Sequence, residues 1–230
     1  MIDSLTIVIM AFDEEENLPV QVDRTVAFLR EHMRDWQVVI VDDGSRDGTG
    51  AVADGYAELY PGQVDVVHHG VNKGMGVAIR NGYAAARCEW VTQLPADCQV
   101  DPRVFTRFFP HVPEVDIVLS VYRERDDGLK RAVMSKSFQL LVRLLIGQRG
   151  DYTGTMMFRR SLLERVGPLH SDSFFVNLEF PFRALRAGAT HALVQIEAQP
   201  RLHGHSKVAN FRRIQHVVRE ALAMRRRERR

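Results

Sequence analysis

Apolar residues in this chain fall into short continuous runs separated by longer amphipathic stretches. Leu5-Thr6-Ile7-Val8-Ile9-Met10 and Val38-Val39-Ile40-Val41 are dense in β-branched side chains and lack polar alternation, the pattern of strands buried on both faces. Residues 18–33, lying between them, carry apolar positions at helical spacing. The alternation continues with strands over residues 64–68, 90–94, 117–122, 155–158 and 189–199. Helices are predicted over residues 49–60, from Asn72-Lys73-Gly74-Met75-Gly76 onward, from Asp101-Pro102 to Phe108, over 134–146, near Ser161, and over 174–187. Such spacing predicts βαβ units and a doubly wound, mostly parallel α/β sheet flanked by helices.

Two helices carry a further question. In residues 134–146, Met134, Phe138, Leu141 and Leu145 share a face opposite Lys136 and Arg143, which suits either a core-packed helix or one lying in a membrane interface. A C-terminal helix places Phe211, Ile214, Val218 and Leu222 on one face and ends in Arg225-Arg226-Arg227-Glu228-Arg229-Arg230.

A length of 230 residues with 45% hydrophobic content suffices for one domain with a sizeable core, expected over residues 1–207, followed by a basic helix and tail over 208–230. The net charge of +2 conceals that division, because residues 207–230 hold nine Lys or Arg and two Glu. The remainder is acidic. Cys88 and Cys98 match no zinc spacing and are expected as free thiols in a reducing cytoplasm. No signal-peptide pattern or apolar run of about 20 residues is present, so the chain is expected to be soluble or peripheral on the inner face of a membrane. The arginine tail lacks an aromatic platform for nucleic acid.

Candidate chemistry gathers at two strand ends. Val41-Asp42-Asp43-Gly44-Ser45-Arg46-Asp47-Gly48-Thr49 leaves its strand through two carboxylates and turns into a helix, and Pro95-Ala96-Asp97-Cys98-Gln99 ends another strand. A plain polar turn, with Asp47 or Thr49 as N-cap, explains the first loop locally. Acids at two strand ends of an α/β sheet point further, to a sugar nucleotide and its metal ion. Gly74 and Gly76 do not complete a dinucleotide fingerprint, since Ile79 stands at the third glycine position. They permit close approach of a ligand or neighbouring strand, and their helix N-terminus is a candidate diphosphate seat. Glu179 and Arg183 lie one helical turn apart and can pair on the surface.

These motifs, in this order from Ile7 to Lys207, resemble the family 2 glycosyltransferases of GT-A fold, most closely the dolichyl- or polyprenyl-phosphate mannosyltransferase branch. Phe12-Asp13-Glu14 with Asn17 matches the entry motif, and the resemblance implies that Phe12 and Glu14 border the nucleoside. Val41-Asp42-Asp43-Gly44-Ser45 stands unchanged, with Asp42 implied to accept a hydrogen bond from the base and Asp43 to lie with it. Asn72-Lys73-Gly74 matches the Asn-x-Gly element, placing Lys73 and Gly74 with the donor, as Ala96 is placed in the metal motif. That motif departs from type: Pro95 replaces its first carboxylate, leaving Asp97 and Gln99 as oxygen donors for Mg²⁺ or Mn²⁺. Arg123, Arg131 and Ser135 match phosphate-contacting positions, and Arg201-Leu202-His203-Gly204-His205-Ser206-Lys207 matches a signature implying phosphate contacts by Arg201, Ser206 and Lys207.

The implied reaction is an inverting displacement from a nucleotide sugar, with GDP-mannose the expected donor and a polyprenyl phosphate the expected acceptor. Charge stabilisation by Asp97 and Gln99 through the metal, with Arg201 and Lys207 over the leaving group, would carry it. A lipid phosphate needs no base, whereas a hydroxyl acceptor would need one, with Glu179 or Asp151 as candidates. A soluble glycan or natural-product acceptor, and a catalytically weak sugar-nucleotide-binding protein, remain as alternatives. A sugar-1-phosphate nucleotidyltransferase would need a glycine-rich basic loop where residues 11–17 are acidic.

Overall fold

A computed structural model describes residues 2–122, 154–197 and 211–228, the first four of the last stretch as backbone. Arg123, Arg131, Ser135, Asp151, Arg201, Ser206, Lys207 and the expected helix 134–146 lie outside the described residues, as does the expected domain boundary at 207.

Seven strands form one sheet: β1 (Ser4–Ala11), β2 (Asp35–Asp42), β3 (Val64–His68), β4 (Trp90–Pro95), β5 (Ile117–Tyr122), β6 (Met156–Arg159) and β7 (His191–Ile196). Their order is β3-β2-β1-β4-β6-β5-β7, and all pairs are parallel except those of β6, which is antiparallel to β4 and β5. The β-branched runs of β1 and β2 are buried along nearly their whole length because helices cover both faces. Even-numbered residues of β2, Val38 and Ile40, pack with α1 (Leu18–His32), with α2 (Thr49–Leu59) and with a 3₁₀ helix, Pro102–Arg107. Odd-numbered Val39 and Val41 pack with α3 (Met75–Ala85), α4 (Ser161–Val166) and α5 (Val176–Arg186).

The last helix, α6 (Phe211–Arg227), corrects the expected face. Val217, Ala221 and Met224 are its buried positions, packed with Phe175, Leu178 and Phe182, whereas Leu222 is 39% exposed and Val218 only partly buried. Alanine's small side chain makes the true stripe weak in sequence and the Val218–Leu222 flank misleadingly strong. Arg225, Arg226 and Arg227 are exposed, as a basic outer surface requires. Among the described residues no helix is long and apolar enough to cross a membrane.

Candidate functional site

The carboxyl edge of β1, β2 and β4 is joined by backbone hydrogen bonds that extend past the strands. Asp43 N–H reaches Ala11 O at 2.9 Å, His69 N–H reaches Asp42 O at 2.9 Å, and Ala96 N–H reaches Met10 O at 3.0 Å. The loops bearing Phe12, Glu14, Asp42, Asp43, Lys73, Gly74, Ala96, Asp97 and Gln99 therefore leave the sheet at one edge, as expected for a ligand crevice.

The first two loops interlock. Asp13, at φ 51°, donates its N–H to Ser45 Oγ and accepts Arg46 N–H on Oδ1. Glu14 N–H binds Thr49 Oγ1 at 2.8 Å, and its side chain accepts from Asn17 Nδ2 at 2.7 Å. The N-cap position of α2 belongs to Gly48, not to Asp47 or Thr49. Asp47 Oδ1 nevertheless accepts from the Thr49 N–H and hydroxyl. Slight burial raises its pKa, but the bonds from Thr49 and from Glu15 N–H outweigh that and leave it lowered. Phe12 is half-buried beside this clasp.

Asp42, the last residue of β2, and Asp43, just beyond it, engage different partners. Asp42 is 6% exposed; Oδ1 accepts Ser45 N–H at 3.0 Å and Oδ2 faces His68 Nδ1 at 3.2 Å. His68 is its register partner on β3 and also reaches Asp54 Oδ1 at 2.8 Å. Asp43 Oδ1 accepts from His69 Nδ1 at 2.7 Å and Lys73 N–H at 2.9 Å, and Oδ2 from Gly74 N–H at 3.0 Å. Asn81 Nδ2 lies 2.8 Å from His69 Nε2, so that nitrogen accepts and Nδ1 is the donor to Asp43.

At the α3 N-terminus, the candidate diphosphate seat, three N–H donors are turned into the protein. Lys73 and Gly74 N–H go to Asp43, and Gly76 N–H goes to Asp172 O at 2.9 Å. The close approach anticipated at the glycines is made by residues 171–173: a Cβ on Gly76 would overlap the Ser171 carbonyl oxygen and sit 2.5 Å from Asp172 C. Gly74 has φ 93°, and a Cβ there would lie 2.8 Å from Asp172 O. The Lys73 side chain is exposed.

Glu179, the candidate base, is buried, and its contact with Arg183 is not a surface ion pair. It is 1% exposed and accepts the His170 N–H at 3.0 Å, the Ser171 N–H at 2.9 Å and the Ser171 hydroxyl, with Arg183 at 3.5 Å. A carboxylate so surrounded is a structural anchor for the loop that presses on α3. Arg80 holds that loop too, through Ser171 O at 2.6 Å and Asp172 Oδ1 at 2.8 Å. From α6, Glu220 accepts the Asp172 and Ser173 N–H groups and the Ser173 hydroxyl.

In the altered metal motif, exposure alternates: Pro95, Asp97 and Gln99 are half-buried, and Ala96, Cys98 and Val100 buried. Cys98 has φ 59° and turns its thiol inward toward Asn17 O at 3.5 Å; burial pushes its pKa up to about 11. Both cysteines are free and buried. Asp97 Oδ1 accepts Gln99 N–H at 3.1 Å. Among the described residues no group of three or more His, Cys, Asp or Glu converges on a metal position. Asp97 and Gln99 are hard oxygen donors and fit a small divalent cation only with ligands from elsewhere.

Sequence reasoning missed His68, His69, Arg80, Asn81 and Glu220. The histidines had a usable signal: Asp42-Asp43 and His68-His69 end adjacent strands, and pairing Asp42 with His68 puts each acid beside an imidazole.

Comparison with known proteins bears on the family and the fold. Undecaprenyl-phosphate 4-deoxy-4-formamido-L-arabinose transferase of Pseudomonas aeruginosa (strain LESB58) is 30% identical over 214 residues, covering 92% of this chain and 62% of the relative. The same-named protein of Pectobacterium carotovorum subsp. carotovorum (strain PC1) is 30% identical over 178 residues, covering 76% and 54%. The chain thus spans little more than half the length of these relatives. Among solved structures, glucosyl-3-phosphoglycerate synthase from Mycobacterium tuberculosis with phosphoglyceric acid superposes at TM-score 0.72, with 17% identity over 96% of this chain and 80% of that one. The same enzyme with Mn²⁺, UDP and phosphoglyceric acid gives TM-score 0.68 at 18% identity, covering 96% and 77%. At that identity the likeness shows the fold, which is GT-A. The glycosyl transferase family 2 model matches residues 6–167, and the chain belongs to that family.

Proposed function

We propose that this chain is an inverting glycosyltransferase that moves a sugar from a nucleotide sugar to a polyprenyl-phosphate-type lipid. The observation that carries the reading is the shared carboxyl edge of β1, β2 and β4, where a buried Asp42 stands one strand from the Phe12 loop and two from Asp97. Family membership and the undecaprenyl-phosphate transferases among its relatives support the reaction class and acceptor. They lend no support to GDP-mannose, the donor implied by the mannosyltransferase branch. The relatives are named for a formamido pentose, and structural neighbours were solved with UDP, so a uracil nucleotide is the donor proposed here.

In this reading Phe12 and Glu14 border the nucleoside, and Asp42 accepts from a base N–H, which uracil supplies. Asp43 holds the Lys73–Gly74 turn so that the lysine ammonium faces the diphosphate. Arg123, Arg131, Ser135, Arg201, Ser206 and Lys207, assigned through the family resemblance, bind donor and acceptor phosphates, with Arg201 and Lys207 offsetting leaving-group charge. Asp97 and Gln99 would hold Mg²⁺ or Mn²⁺, which supplies Lewis-acid neutralisation of the diphosphate. A phosphate acceptor is anionic at neutral pH, so Glu179 is not needed as a base and keeps its anchoring role. The exposed Arg225, Arg226 and Arg227 face of α6 brings the enzyme to an anionic membrane peripherally.

Transfer of radiolabelled sugar from a panel of UDP- and GDP-sugars to undecaprenyl phosphate, with and without EDTA, tests the proposal. UDP-sugar transfer abolished by EDTA is the expected result. Pro95 favours one second reading, a weakly catalytic sugar-nucleotide binder, and binding of UDP without turnover of any donor would select it. Transfer to soluble hydroxyl acceptors alone would reject the lipid assignment.

A further inference from the structure

His68 lies between two carboxylates from different elements, Asp42 on β2 and Asp54 on α2, and its side chain is 44% exposed. Each ring nitrogen faces an acceptor, an arrangement that both nitrogens satisfy only as donors. Gly50, in the first turn of α2, leaves the room: a Cβ there would stand 2.9 Å from Asp42 Oδ2 and 3.6 Å from His68 Cε1. The neighbouring His69 serves Asp43.

Resting on the proposed role of Asp42 at the base, we propose that His68 is its positioning residue: anchored on Asp54, the protonated ring fixes Asp42 Oδ2 and so the direction in which Asp42 meets a nucleoside. Loss of the ring proton leaves one N–H between two carboxylates. Whichever nitrogen keeps the hydrogen, the other faces its carboxylate with a lone pair, and the ring no longer bridges Asp42 to Asp54. The Asp42 carboxylate is then free to turn, and nucleotide affinity falls. The bond to Asp54 raises the His68 pKa above 6.5; partial burial opposes the rise, and the Asp42 bond and both carboxylate charges add to it. The protonated form thus reaches closer to neutral pH than for a free histidine.

Calorimetric titration of the full chain with UDP at fixed Mn²⁺, from about pH 6 to about pH 8.5, tests this in wild type, His68→Gln, Asp54→Asn and Asp42→Asn. UDP and the metal titrate alike for every protein, so the readout is the ratio of each affinity to wild type. Wild type should bind about tenfold tighter than His68→Gln at the acid end, and the two should converge at the alkaline end. Asp54→Asn, remote from the nucleotide, should move the wild-type decline to lower pH. A His68→Gln ratio that is constant with pH, while Asp42→Asn still weakens UDP, overturns the role of His68 alone. UDP affinity indifferent to Asp42→Asn overturns the assignment of Asp42, and this inference with it.

Discussion

Replacing Asp43 should damage the fold at one defined place. Its carboxylate is 4% exposed and accepts three hydrogen bonds, from His69 Nδ1, Lys73 N–H and Gly74 N–H, at 2.7–3.0 Å. Asp43→Ala strands three donors in a site with little access for water, and each stranded donor costs about 1–3 kcal/mol. Partial relaxation of the exposed Lys73 turn brings the expected total to roughly 3–5 kcal/mol. For a chain of this size each kcal/mol lowers the melting temperature by about 2–4 °C, so a fall of roughly 6–20 °C should follow. Asp43→Asn keeps one acceptor oxygen and turns an NH₂ toward the remaining donors, so it should fall between wild type and alanine. Differential scanning calorimetry measures the shift. Hydrogen exchange localises it, because the Lys73 and Gly74 amides should lose protection ahead of the β2 core. A melting temperature within about 1 °C of wild type, with both amides still protected, would refute the argument that this carboxylate holds the turn.

Gly76→Ala must displace residues 171–173, since its Cβ would meet Asp172 C at 2.5 Å and Ser173 O at 2.7 Å. A loss of about 1–3 kcal/mol by denaturant melting is expected, and an unchanged midpoint would contradict the contact. Asp97→Ala should abolish metal-stimulated transfer, whereas Pro95→Asp should lower the Mn²⁺ concentration for half-maximal rate; no change in either would remove this motif from metal binding. Burial is the largest single influence on Asp116 and raises its pKa, but the bonds from Arg165 and Thr190 together with the Arg165 charge outweigh it and hold it below 3.8. Its stabilisation is therefore present above that value and lost as pH falls through the lowered folded pKa, so Asp116→Asn should flatten the acid limb of a stability-pH profile. Changing Arg225, Arg226 and Arg227 together to Ser should reduce sedimentation with anionic vesicles at low salt, each arginine contributing up to about 1 kcal/mol. Equal recovery of variant and wild type would exclude this face from membrane contact.

The strands were legible because both-face burial demands continuous apolar runs, and residues 64–68 and 117–122 read with their observed bounds. The strand at residues 155–158 was legible too, one residue off β6, but its antiparallel direction was not, since a four-residue run carries no directional signal. The acids at the β2 and β4 ends were found, yet their partners were hidden. Glu179 shows the difference: spacing predicts Arg183, four residues on, but not His170 and Ser171, which meet it only after the chain turns back. For Asp42 the resemblance implies a partner in the ligand, and only strand register reveals that His68 stands beside it. Local periodicity encodes elements; loop-to-loop hydrogen bonds depend on how those elements are brought together.

The loop over α3 has a kinetic consequence. Strands β1 to β3 can pair using contacts within the first 70 residues or so, and β4 joins them by its bond to β1. The start of α3 is closed by residues 171–173, with Arg80 bonded 91 positions away to Ser171, and that loop is held in turn by Glu220. Closure of such distant segments is slow compared with local pairing. On refolding, the sheet should therefore register by circular dichroism before the ligand-side turn acquires its final shape. Nucleotide competence would then lag behind secondary structure, its timing set by the docking of α6 and not by formation of the strands that carry the acids.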